Sequence, residues 1–243
     1  MTKPWTKLAL AAALGVVFLA TAGIWLYLNV FRDDAPERLT LREPSGGAAS
    51  STTTAAAAGA GDEAAGAGQG VDGTWTVAAG SQAGYRVQEV LFGQSATAVG
   101  RTEDVTGEIS VVGSRVASGS FTVDMTTVRS DESRRDNQFR GRIMDVASYP
   151  KSTFRLTSPV EVGRLPADGE AVTVEATGEL TLRGTTRPVT FDLEAQRSGP
   201  SIRVAGSIPI VFEEWGIPNP SFGPAETEDN GELEFLLVLS RQG

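Results

Sequence analysis

The sequence predicts an all-β domain of about eight antiparallel strands, with one short helical segment near residues 133–143 and an N-terminal transmembrane helix ahead of it. Three observations predict this. Apolar and polar residues alternate with a period of two along most of the chain beyond residue 71. Turn signals punctuate that alternation. One basic stretch, "RRDNQFRGRIMDVASYPKSTFRL" from Arg134 to Leu156, interrupts it.

The N-terminus differs from the rest. Residues 1–7 carry Lys3 and Lys7, and Leu8 to Phe31 form an uncharged run of 24 residues. As a helix this run spans about 36 Å, enough for the ~30 Å hydrocarbon core of a bilayer. Basic residues before it place the N-terminus in the cytoplasm and the remainder outside, in a periplasmic or extracellular location. Ala20-Thr21-Ala22 fits a signal-peptidase site, but cleavage there would leave the apolar "GIWLYLNVF" as a new N-terminus, so the run is read as an uncleaved signal anchor. Residues 32–70, with "PSGGAASSTTTAAAAGAGDEAAGAGQG" from Pro44 to Gly70, have almost nothing to bury and read as a flexible linker. The 27 residues from Pro44 would have an end-to-end distance of about 30 Å.

Residues 71–243 form the folded domain. "FTVDM" places Phe121, Val123 and Met125 on one face. "AVTVEATGELTL" does the same for Val172, Val174, Ala176, Gly178, Leu180 and Leu182, and "VTFDLEA" for Val189, Phe191 and Leu193. "SIRVAGSIPIVF" contributes Ile202, Val204, Ile208, Ile210 and Phe212, and "ELEFLLVL" contributes Leu233, Phe235, Leu237 and Leu239. Such strands have one dry and one wet face. "LRGTTRP" and "DNG" (Asp229–Gly231) read as turns between them. Sheets of this kind stack as a sandwich or close as a barrel, and periodicity does not separate the two.

The basic stretch lies between the "FTVDM" and "STFRLTS" strands. Asp131 or Ser133 can cap a helix start, good helix formers run to Ile143, and Pro150 blocks continuation. Phe139 and Ile143 share the apolar side, and arginines cover much of the rest. Such a helix lies across an open end of a closed sheet, either as a plug over the core or as a lid beside an internal pocket. Arg135 with Asp136 or Asp145 reads as a local ion pair or cap that fixes it.

Composition narrows the chemistry. There is no Cys and no His, so disulfides, thiolate nucleophiles and imidazole acid–base groups are absent. The domain carries 16 Lys and Arg against 24 Asp and Glu, a balance of −8 that suits neither nucleic acid nor anionic headgroups. No nucleophile elbow, phosphate-binding loop or zinc-protease motif occurs. The pairs Glu213-Glu214 and Asp131-Glu132 do not converge if they lie on strands, and "ETEDNGELE" lacks the ligand spacing of a calcium loop. The reading is therefore non-enzymatic, with no catalytic residue, no metal site and no cofactor.

"RRDNQFRGRIMDVASYPKSTFRLTS" resembles the arginine–aspartate signature of the YceI-like family, through Arg135, Asp136, Phe139, Arg140, then Met144-Asp145, then Tyr149-Pro150 and Phe154. "GELTLRGTTRPVTFDL" resembles the same family's hairpin, and "EEWGIP", with Trp215, its tryptophan–glycine element before the last strand. "WTVAAGSQAGYRVQE" fits its first two strands, so the resemblance covers nearly all of residues 74–240. Gln138 and Arg183 stand where the family commonly has histidines, so no role of those histidines carries over. The resemblance implies a lipocalin-like barrel that holds a polyisoprenoid, an isoprenoid quinone or a similar amphiphile, in a membrane-tethered extracytoplasmic protein. The expected ligand contacts are Phe121, Met125, Phe139, Ile143, Phe154, Leu180, Phe191, Leu193 and Trp215. Arg135, Asp136, Arg140 and Asp145 are expected to support the lid. The expected partners are the lipid and the membrane. The competing readings are a structural or adhesion module with a filled core and, more remotely, an enzyme acting on an isoprenoid quinone.

Overall fold

The computed structural model describes residues 35–41, 70–163, 166–223 and 225–242. The expected cytoplasmic N-terminus and membrane anchor (residues 1–31), and most of the expected linker, lie outside them. Among the described residues no helix is long and apolar enough to cross a membrane. Contacts divide the chain into residues 1–36 and 37–243, and the fold below is that of the second unit.

In chain order the elements are β1 (Gly73–Val77), β2 (Gln82–Leu91), β3 (Gln94–Thr102), β4 (Val105–Val112) and β5 (Arg115–Asp124), then a 3-10 turn at Met125–Thr127 and β6 (Arg129–Ser130). Helix α1 (Ser133–Gln138) continues as a π turn at Phe139–Ile143. There follow β7 (Lys151–Leu156), β8 (Val160–Glu161), β9 (Ala171–Leu182), β10 (Thr185–Ser198) and β11 (Ser201–Val211). A 3-10 turn at Phe212–Trp215, β12 (Ala225–Thr227) and β13 (Asn230–Arg241) complete the domain.

Eight strands close on themselves in the order β1, β4, β5, β7, β9, β10, β11, β13, with β13 returning to β1, every pair antiparallel. The alternative left open by periodicity is thereby resolved as a barrel. β13 serves two neighbours in succession. Its last residues pair with β1 and its first with β2, which extends the sheet through β3 to β6. Closure removes exposed sheet edges around the ring.

The tight turn expected at "LRGTTRP" is the two-residue β9–β10 loop, where Arg183 and Gly184 both have positive φ (49° and 75°) as such hairpins require. The "DNG" expectation is corrected. Val211 of β11 pairs directly with Asn230 of β13, so Asn230 and Gly231 already belong to β13. The chain between them, residues 212–229, leaves the sheet to cover one end of the barrel and return through β12 along β2. Local turn chemistry did not reveal this, because the deciding contacts are with β2.

The interior holds two apolar clusters. One contains Met125, Phe139, Leu180, Leu182, Phe191, Ile208, Ile210 and Trp215. The other contains Trp75, Ile109, Val111, Leu237 and Leu239. Phe235, Val116 and Val123 pack against both.

Candidate functional site

The walls of the bore follow from register. Phe121 on β5 lies opposite Phe154 on β7, and Phe154 opposite Leu180 on β9. On β10, Phe191 lies opposite Ala176 and Leu193 opposite Val174. Cross-strand partners share a face, so these side chains all point inward. The outer face alternates as expected: the Thr181 and Thr186 hydroxyls bond at 2.8 Å and those of Thr177 and Thr190 at 3.0 Å.

Rings dominate mid-barrel. Phe154 meets Phe191 edge-on at 5.5 Å between centroids, and Phe191 meets Phe235 likewise at 5.9 Å. The inward glycine at 178 is not empty space: a Cβ there would stand 2.4 Å from the Phe154 ring. Glycine is required because the Phe154 ring and the Arg155 carbonyl oxygen, 2.6 Å away, both occupy the space a Cβ would take. The same device recurs at Gly100, where a Cβ would stand 2.4 Å from the Tyr85 ring.

The mouth is built by the basic stretch. Glu132, not the expected Asp131 or Ser133, caps α1, its carboxylate accepting from the Arg134 N–H at 3.0 Å. The preceding residue is the one whose side chain reaches the first free amides. Phe139 is buried in the first cluster and stacks on Tyr85 with centroids 5.0 Å apart and planes 17° apart. Burial pushes the Tyr85 phenol up from its ordinary range; Asp136 and Asp131 act in the same direction and Arg135 against it.

Polar groups form a collar around this stack. Asp136 is buried and accepts from the Ser130 N–H at 2.8 Å and the Ser130 hydroxyl at 2.7 Å, which tie α1 to β6. The expected pairing of Arg135 with Asp136 or Asp145 is corrected: Arg135 pairs with Asp131 one turn before it and with Glu89 of β2 at 3.3 Å. Burial works against its charge, but Asp131 and Glu89 hold it above the usual guanidinium range. Arg140 instead approaches Asp136, Nη1 to Oδ2 at 4.0 Å, and donates from Nη2 to Asn137 at 2.9 Å. Its Nη1 is buried without a hydrogen-bond partner among the described residues. Arg142 donates to the Asn219 and Pro220 carbonyls at 2.9 and 3.1 Å, joining the π turn to the excursion after β11. The expected carboxylate role of Asp145 is replaced by a backbone one. At φ 46° it donates to the Gly141 carbonyl and accepts from Ser148 and Tyr149, turning the chain toward β7.

Of the residues expected at the site, Met125, Phe139, Leu180, Phe191 and Trp215 are buried in the first cluster, with Ile143, Phe154 and Leu193 packed against it. Phe121 alone packs against the second cluster. Tyr85 and Glu89, both from β2, are the mouth residues that sequence reasoning missed. Their partners at the mouth, Phe139 for Tyr85 and Arg135 for Glu89, lie 46 or more residues away in sequence. Glu213 and Glu214 lie in the 3-10 turn and are exposed. Among the described residues no group of three or more acidic side chains is placed to hold a metal ion.

The order of these parts along the chain is diagnostic, and the model of the YceI-like domain matches residues 75–239. The chain belongs to the YceI-like family. Curated relatives of this YceI-like domain include the protein YceI of Escherichia coli O157:H7, 37% identical over 126 residues that cover 51% of this chain and 61% of that protein. A UPF0312 protein of Vibrio parahaemolyticus is 31% identical over 103 residues, 41% of this chain and 51% of its own length. The chain thus spans between half and three-fifths of the length of these relatives. Among solved structures, a polyisoprenoid binding domain from Saccharophagus degradans superposes with a TM-score of 0.55 at 17% identity, over 70% of this chain and 98% of that domain. Burkholderia cenocepacia BcnA gives 0.52 at 20% identity, over 67% and 98%. At these identities the likeness is one of fold, and it matches the YceI-like barrel seen here.

Proposed function

We propose that this protein binds one long apolar chain, a polyisoprenoid or isoprenoid-quinone-like amphiphile, inside the barrel, and that it does so outside the cytoplasm while tethered to the membrane by its N-terminal apolar run. The observation that carries the binding is the state of the inward wall. Phe121, Phe154, Val174, Leu193 and Phe235 face the inside of a closed ring, yet each is only partly buried. Accessible surface on an inward side chain of a closed barrel belongs to interior space, and this interior is apolar. An eight-stranded barrel has room for one slender ligand. Each five-carbon isoprene unit taken from water is worth about 3–4 kcal/mol at ~0.8 kcal/mol per carbon, so such a chain partitions between bilayer and barrel and is almost never free.

The roles follow from position. Phe121, Phe154, Leu180, Phe191 and Leu193 line the chain's path, with Met125, Ile143 and Trp215 at the helix-covered end. Phe139 closes the mouth over Tyr85. Arg135, Asp136 and Asp145 hold the closure in place, and the Nη1 of Arg140, which lies 4.0 Å from Asp136 and has no hydrogen-bond partner among the described residues, offers a donor to a polar headgroup. No residue is assigned bond-making chemistry. The fold-level likeness to a polyisoprenoid binding domain supports the ligand class.

Mass spectrometry of lipids extracted from the purified domain tests this. One prenyl lipid per domain is the expected result. A lipid-free protein that also fails to take up added prenyl lipid would favour the module with a filled core.

A further inference from the structure

The outer face of β13, β2 and β3 departs from the wet-face rule. Glu234 alternates with inward Leu233 and Phe235, and Arg86, paired with Val99, alternates with inward Tyr85 and Val87. All three point outward, yet Glu234 is 2%, Val99 4% and Arg86 8% exposed. Glu234 accepts from Arg86 Nε at 3.3 Å and from Arg101 Nε at 2.8 Å. An ion pair this dry on the outside of a barrel needs a cover.

Residues 37–41 cross this face. The Arg101 guanidinium donates to the Glu37 carbonyl. Arg38 forks onto Glu232, with Nη1 on Oε2 and Nη2 at 3.3 Å from Oε1. Leu41 is buried at 8% exposure. The contact is complementary in kind: a carbonyl for a guanidinium and a guanidinium for a carboxylate, with a buried leucine at its end.

We propose that this outer face is a docking site for residues 37–41 of the same chain, which act as a clip that pins the start of the tether to the barrel. One ion-pair fork and one leucine suffice, because the covalent connection keeps the clip at about millimolar effective concentration. Given the anchor proposed above, the clip has a consequence for reach. The covalent slack between Phe31 and the barrel falls from the whole of residues 32–70 to residues 32–36, about 18 Å when extended. The clip itself depends neither on the anchor nor on the ligand.

The chain has no cysteine, so spin labels can be placed at will. Full-length protein in nanodiscs carrying Thr40→Cys and Ser95→Cys, both exposed positions, should give one narrow distance by pulsed electron paramagnetic resonance. Adding Arg38→Glu with Leu41→Asp should broaden it to the spread of a free connection, with a mean of about 30 Å. Arg38→Glu combined with Glu232→Arg should restore the narrow distance. A tenfold excess of unlabelled protein should leave it unchanged. A broad distribution in the parent, indifference to the Arg38 and Leu41 changes, or loss of the distance on dilution (a clip donated by a second copy) would each overturn the proposal. Prenyl-lipid content measured on the same samples separates a failed clip from a failed lipid reading.

Discussion

Phe139 should govern lipid exchange. Its ring is buried at 7% exposure and stacks on Tyr85. Phe139→Ala removes a core aromatic, a change that costs about 3–5 kcal/mol, of which the ring pair accounts for roughly 0.5–1.5. For a domain of this size each kcal/mol lowers Tm by about 2–4 °C, so the loss is roughly 6–20 °C. If α1 is a lid, packing lost by the closed state raises the open fraction, and about 3 kcal/mol corresponds to roughly a hundredfold. Phe139→Leu keeps most of the apolar volume but loses the stack, so it should raise exchange by about tenfold or less. The assay is transfer of a fluorescent prenyl probe from protein to vesicles, read beside the melting temperature. Two variants that melt earlier but transfer at the parent rate would make the helix a plug and refute the gating argument.

Other expectations concern the wall, the mouth and the tether. Leu180→Asp buries an unpaired charge at a cost of several kcal/mol and should unfold the domain or abolish lipid uptake. Thr181→Asp on the outer face should be tolerated in both assays, and equal effects at the two positions would contradict the facing assigned to β9. Because burial raises the Tyr85 phenol, the stability tied to its protonated form is complete below about pH 10 and falls as pH rises beyond that. Tyr85→Phe should flatten that alkaline fall in denaturant titrations, and an unchanged slope would exclude Tyr85 as its source. Protease added to intact spheroplasts should cut within residues 44–70; protection of that stretch would reverse the proposed orientation.

Strand facing was legible because it is a local property. Alternation alone assigned Phe121, Leu180, Phe191 and Leu233 to the dry side, and closure into a ring did not alter them. What alternation could not supply is pairing at a distance. Nothing near Arg135 in the sequence points to Glu89, and nothing near Val211 announces that its partner is Asn230, beyond an excursion along β2. Glu234 shows the limit most clearly. Its place on the wet face was correct, but the face is not wet there: Arg86 of β2 and Arg101 of β3 pair with it, and residues 37–41 cross the same face. The capping residue was missed for a smaller reason: Asp131 and Ser133 are the types that favour the cap, and only backbone geometry selects Glu132.

Small residues on a dry face suit either room for a ligand or tight packing, and at Gly178 and Gly100 the structure shows tight packing against an aromatic ring. A ring that lies flat on a glycine occupies the wall; the same ring over a larger residue would be pushed toward the axis and narrow the bore. Gly100 offers the cleaner test, because the three nearest atoms that a Cβ would meet, at 2.4–2.9 Å, all belong to the Tyr85 side chain. Gly100→Ala should therefore displace Tyr85, break its stack on Phe139, and cost about 1–3 kcal/mol through overpacking. Lipid occupancy should fall as well, since the displaced ring enters the mouth. In a Tyr85→Val background the ring is gone, and the same Gly100→Ala change should cost close to nothing. The coupling in this double-mutant cycle measures the ring-on-glycine arrangement directly. Equal costs in both backgrounds would mean that Gly100 serves only the strand backbone, and the account of how the wall makes room would have to be abandoned.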